Sequence, residues 1–123
     1  MASISDDVFD NGLSQLNAIG DRVDICSSIP TTYAEAITTY SLGNKTAYVP
    51  AAPSDRGGGG REVICPSISD GSVTGDGTAA FFSLVDTGTT ALMIAGALSA
   101  SQAVTTGNTF TLTSWTVGIP DPA

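Results

Sequence analysis

The sequence predicts an all-β fold, a small antiparallel sandwich or barrel with a short N-terminal helical or extended arm and one short helix. Three observations predict it. Hydrophobic residues make up 41% of the chain and charged residues only 13%, so its polarity comes mainly from Ser, Thr, Gly and Asn. Apolar runs are short, and the breaks between them are rich in Gly, Asp, Asn and Ser, the residues that favour turns. No connection after Arg61 is long enough for a helical crossover, so neighbouring strands are expected to run antiparallel. The 123 residues suit a single core. The expected division is an arm over 1–20 and a β-domain over 21–123.

Asp6 to Gly20 carries Val8, Phe9, Leu13, Leu16 and Ile19 at a spacing that approximates one face of a short helix, interrupted by Asp10-Asn11-Gly12. Such a segment either packs on its own domain or docks on a neighbour. Arg22 to Ser28 alternates polar and apolar side chains and reads as a strand ended by Ile29-Pro30. Thr31 or Thr32 can cap a short helix with Glu35 in the capping-box position, and Gly43 is expected to stop it. The stretch 50–61 turns to Pro, Ala, Ser and Asp and then to Gly57-Gly58-Gly59-Gly60, which reads as an adaptable loop. Four further strands are expected over Arg61–Ser69, Thr78–Val85, Ala91–Leu98 and Asn108–Val117. In the last, Thr109, Thr111, Thr113, Trp115 and Val117 share one face, and Phe110, Leu112, Ser114 and Thr116 the other.

Four Lys and Arg stand against twelve Asp and Glu, a net charge of -8. Such a chain repels a phosphate backbone and an anionic membrane surface, so neither nucleic acid nor membrane is expected as a partner. The longest apolar run, Ala91 to Ala97, falls well short of the ~20 residues a spanning helix needs. Met1 to Asp7 has neither a basic stretch nor an apolar core of the secretory kind, so the chain is expected to remain in the cell that makes it. Cys26 and Cys65 lie in apolar runs without C-x-x-C spacing, which favours buried thiols over a metal knuckle or a disulfide.

Catalytic chemistry finds little support. The chain has no histidine, and its one lysine, Lys45, lies in Gly43-Asn44-Lys45-Thr46, outside any Ser-Lys pattern. Glu35 and Glu62, or Asp6, Asp7 and Asp10, are the carboxylates a hydrolase would need, but nothing in their spacing selects that role over solvated charge. Asp70 to Gly77 alternates oxygen side chains as a calcium loop does. The sixth position is the required Gly75, but the twelfth is Phe81 in place of glutamate, so a hairpin connection is expected instead. The glycine run is followed by Arg61-Glu62, which rules out a Walker-type phosphate loop. No catalytic residue, metal or cofactor is expected. The candidate interface comprises Val8, Phe9, Leu13 and Leu16 on the arm together with Arg56, Gly57, Gly58, Gly59, Gly60 and Arg61 at the loop. Arginine is enriched at interfaces because its planar fork pairs with carboxylates and carbonyls. Phe81-Phe82 and Ala91-Leu92-Met93-Ile94 supply apolar side chains to both faces of their strands, as a central strand or an oligomer contact would require.

Several elements taken together resemble a family of small structural proteins of tailed bacteriophages and prophages. They are Asp10-Asn11-Gly12-Leu13, Val23-Asp24-Ile25-Cys26-Ser27, Pro30 to Ala36, Asp70 to Gly75, and Gly96-Ala97-Leu98-Ser99 through Gln102-Ala103-Val104 to Gly107-Asn108-Thr109-Phe110. The resemblance spans about Phe9 to Pro120 and brings no catalytic residues with it. It implies a virion component made in the host cytoplasm: a head decoration or cement protein, a homo-oligomer such as a trimer, bound through the major capsid protein to the outer surface of the head. A different expectation is a tail or spike module recognising a host glycan or surface protein through exposed threonines and Trp115, since aromatic rings stack on sugars.

Overall fold

A computed structural model describes residues 6–120, with side chains described from Asn11 onward. Helix α1 (Asp6–Ile19) leads into β1 (Arg22–Cys26), a single π-helical turn (Glu35–Thr39) and β2 (Ser41–Thr46). There follow β3 (Ser54–Asp55), β4 (Arg61–Cys65), β5 (Ile68–Val73), β6 (Gly77–Asp86), β7 (Ala91–Val104), β8 (Thr109–Leu112) and β9 (Trp115–Ile119). The architecture is all-β and antiparallel, as expected, in the form of a six-stranded sheet curled into a half-barrel, order β7-β6-β1-β2-β5-β8, and a small sheet, order β3-β4-β9.

One core joins the two sheets and the helix. Val23, Ile25, Leu84, Val73 and Phe110 from the large sheet meet Val63 and Cys65 from β4 and Leu13 and Leu16 from α1. Strand β1 is central and buried on both faces. Val23 and Ile25 enter the core, while Cys26 on the opposite face lies under the π-helical turn, its Sγ 3.6 Å from the Ala36 carbonyl oxygen. Asp24 shares that face and is wholly buried, held by Arg22 at 2.7 and 2.9 Å and by the Ser41 hydroxyl at 2.6 Å.

The capping residues act as expected. The Glu35 amide donates to Thr32 Oγ1 at 3.2 Å, and Glu35 Oε1 accepts from the Thr31 amide at 2.9 Å and the Thr31 hydroxyl at 2.7 Å. The expected stop at Gly43 is corrected: the turn closes with the Tyr40 amide on the Glu35 carbonyl, and Gly43 lies inside β2. A Cβ there would collide with the Ser72 carbonyl of the neighbouring strand, so the glycine serves close strand approach.

Two expected strands are each divided. Pro66 lacks an amide proton and ends Arg61–Ser69 as one ladder, leaving β4 in the small sheet and β5 in the large one. Asn108–Val117 breaks at Thr113-Ser114, because the positions that face the core change phase from buried Phe110 and half-buried Leu112 to half-buried Trp115 and Val117. The expected hairpin at Asp70–Gly77 is also corrected. Strands β5 and β6 are separated by β2 and β1, and the link between them passes both, with the amides of Thr74 and Gly75 on the Leu42 carbonyl of β2.

The described part of the N-terminal segment packs on the β-domain. Leu13 and Leu16 are 4% and 7% exposed, α1 packs on β4, and Asn17 donates to the Pro50 carbonyl at 2.7 Å. Among the described residues no helix is long and apolar enough to cross a membrane.

Candidate functional site

The half-barrel is open where its two end strands, β7 and β8, face each other. These strands are consecutive and joined by the tight turn Thr105–Asn108, yet they do not pair. The turn is held apart from a simple hairpin by its anchors. Thr106 donates its amide to Asp76 at 2.7 Å, while the Val73 amide and carbonyl bond Asn108 and Gly107 on the β5 side. Strand β7 departs from β8 because it stays on β6, where four residues, Leu98 to Ser101, bulge opposite the single Ala80.

The resulting cleft has a volume of about 420 Å³ and is lined by Ile25, Phe82, Leu98, Phe110, Leu112 and Trp115, with Ser99, Gln102, Thr111 and Thr113 supplying polar atoms. No charged side chain lines it. Trp115 stacks on Tyr48 with ring centroids 5.8 Å apart and planes 6° apart, and Phe82 packs on it at 5.0 Å. The Tyr48 hydroxyl donates to the Pro66 carbonyl at 2.6 Å, and burial pushes its pKa up. The Trp115 indole nitrogen is buried without a hydrogen-bond partner.

The expected interface residues fall in three places. Leu13 and Leu16 are consumed by the chain's own core, which corrects their assignment to a docking surface: apolar side chains on the inner face of a helix bury against the nearest sheet. The side chains of Val8 and Phe9 lie outside the described residues. Arg56, Gly57, Gly58, Gly59, Gly60 and Arg61 form the end of the β3–β4 hairpin. Gly58, Gly59 and Gly60 have φ of 89°, 107° and 93°, the Gly59 amide bonds the Arg56 carbonyl, and the Arg56 guanidinium reaches back to the Gly59 carbonyl at 3.2 Å. Arg61 pairs with the exposed Asp55 at 2.5 Å.

The carboxylates are dispersed among structural tasks. Asp70 pairs with Lys45 at 2.9 Å and Asp76 caps the Thr106 amide, so the two acids of the calcium-like stretch serve different partners. Asp21 accepts from the Thr87 amide and hydroxyl at 3.0 and 2.6 Å, and Asp86 accepts from the Gly88 amide at 2.9 Å and from the Thr89 hydroxyl. Hydrogen bonds to the ionised form hold Glu35, Asp70, Asp76 and Asp86 below the usual carboxylate range, led by the Thr31 amide, Lys45, the Thr106 amide and the Thr89 hydroxyl respectively. Cys26 and Cys65 are free and buried, and burial pushes both thiols up to about 11. Among the described residues no three His, Cys, Asp or Glu side chains gather where they could hold a metal ion.

The cleft was not anticipated from the sequence, but a signal for it was present. No Asp, Glu, Lys or Arg occurs between Thr87 and Pro120. Comparison of the chain with protein-family models, with curated proteins and with solved structures finds no match.

Proposed function

We propose that this chain is a structural virion protein, a decoration or cement protein that binds the outer surface of a tailed-phage head in several copies and stabilises it. What carries the reading is the resemblance over Phe9 to Pro120. The arrangement of the molecule supports it in two respects. The half-barrel is tied at its turns by side-chain to backbone bonds from Asp21, Asp76 and Asp86, as suits a rigid building block. The cleft between β7 and β8 has no charged side chain in its lining. Many modest contacts made together on a repeating shell raise effective concentration and act as one strong attachment.

The reading of Trp115 as a glycan platform is less well supported. Its ring is packed by Tyr48 and Phe82 and its indole nitrogen is buried, which argues against an open aromatic face for a sugar. Removing 1–20 is not a clean test of docking, because it strips Leu13 and Leu16 from the core. The intact chain provides one. Added to heads that lack it, the purified protein is expected to sediment with them to a saturable ratio and to raise the temperature at which they burst. Protein that stays at the top of the gradient, or that pellets only with tails, would overturn the reading.

A further inference from the structure

We propose that copies of this chain associate with one another through the uncharged surface carried by β7 and β8, with the outer edge of β7 at its centre. The inference deepens the reading above by naming the contact between copies, but it does not require that the copies sit on a head.

The charges of the chain are segregated along the sequence. All four basic residues and eleven of the twelve acids precede Thr87, the twelfth acid is Asp121, and the 34 residues between are uncharged. This span is also a surface. From Thr87 to Pro120 only Phe110 is buried, and no residue of the fourteen-residue β7 is. Met93, Ile94, Leu98 and Val104 pack one side against the core and keep part of their area in water. Half-exposed apolar side chains set among uncharged Ser, Thr, Ala and Gly offer a neutral surface on which a contact can form.

The backbone points the same way. Strand β7 pairs with β6 on one side only, and its other edge presents unpaired amides and carbonyls. Proteins that remain apart blunt such an edge with lysines, prolines, bulges or short strands. Strand β7 is long and has no lysine or proline, and its one such device is the Leu98–Ser101 bulge, whose Leu98, Ser99 and Ala100 line the cleft.

Charge selects the occupant. Two copies that each carry -8 repel one another over any carboxylate-bearing face, so they can meet closely only where both are neutral. The β7–β8 surface satisfies that condition on both sides at once, as an isologous contact requires. A basic partner would be drawn instead to the acidic remainder of the molecule. A standard interface uses ~20–30 residues a side, within what the uncharged span offers.

The test uses the full chain. Sedimentation equilibrium is expected to find an oligomer at micromolar concentration, and the paired change Ala100→Asp with Ala103→Asp, at exposed positions of β7, is expected to weaken it at least ~10-fold. Ala52→Asp, also exposed but outside the span, adds charge without touching the contact and is expected to leave the assembly intact. Circular dichroism checks that each variant folds. Should the paired variant fail to fold, hydrogen exchange of the wild type decides: β7 amides are expected to exchange faster on dilution. A wild type that stays monomeric to about 100 µM overturns the proposal. So does an oligomer unmoved by the paired change, or β7 exchange that is independent of concentration. A monomer whose paired variant loses only head binding also overturns it and assigns the surface to the shell. An oligomer that the paired change dissolves, in a protein that ignores heads, sustains this inference and removes the functional reading alone.

Discussion

Arg22 and Asp24, two residues apart on one face of β1, form a bidentate ion pair with Nε to Oδ1 at 2.7 Å and Nη2 to Oδ2 at 2.9 Å. Asp24 is fully buried, with Ser41 Oγ donating to it at 2.6 Å. A buried carboxylate deprived of its cation is far more costly than the intact pair is stabilising. Arg22→Ala is therefore expected to lower stability by about 3 kcal/mol in urea unfolding, and Ser41→Ala by about 1 kcal/mol. Replacing both charges, Arg22→Met with Asp24→Leu, is expected to cost less than Arg22→Ala alone.

The glycines at the β3–β4 hairpin are not equivalent. Gly60 has φ of 93°, and a Cβ on it would run into the Ile119 carbonyl of β9, whereas Gly57 has nothing within 4 Å. Gly60→Ala is expected to cost at least ~2 kcal/mol in thermal melting, from strain and clash together. Gly57→Ala is expected to stay within ~1 kcal/mol of the wild type, since it mainly restricts the unfolded chain.

How far the fold was legible follows from these same residues. The alternation in Arg22-Val23-Asp24-Ile25-Cys26 and the Thr-x-x-Glu pattern of the cap are local signals, and both elements formed where they were expected. Strand β2, Ser41-Leu42-Gly43-Asn44-Lys45-Thr46, has almost no strand character of its own and exists because β1 and β5 pair on either side of it. Its glycine reads locally as a helix stop and globally as a close approach. The break at Thr113-Ser114 was legible in the phase change from Phe110 to Trp115. The open seam was not, because it depends on which strands end a sheet, a property of topology that no local pattern carries.

Trp115 gives a prediction of unusual sign. Its indole nitrogen is buried and unpaired, so Trp115→Phe keeps ring contact with Tyr48 and Phe82 while removing an unsatisfied donor. The change is expected to be neutral or stabilising, within about 1 kcal/mol, in urea unfolding followed by circular dichroism. A loss of about 3 kcal/mol would mean that the nitrogen has a partner in solution.

Stability should fall at both ends of the pH scale. Glu35, Asp70, Asp76 and Asp86 have carboxyl groups held below their ordinary values of 4.5 and 3.8, so their contribution is present above those values and lost as pH drops through the folded ones. Cys26 and Cys65 have thiols raised from 9.0 to about 11, so folding favours the neutral form, and that contribution is full below pH 9 and lost as pH rises toward 11. Melting temperature against pH is expected to show a plateau between these limbs. Cys26→Ala with Cys65→Ala should reduce the alkaline limb to the part that the buried Tyr48 hydroxyl supplies above pH 10, and leave the acid limb unchanged.

The central claim, that the chain is a structural component of a phage head, is tested most directly by electron cryomicroscopy of the particles made from the genome that encodes it. The account predicts density for the half-barrel repeated over the outer face of the shell. Particles without that density on the head, or with it only at the tail, would contradict the claim.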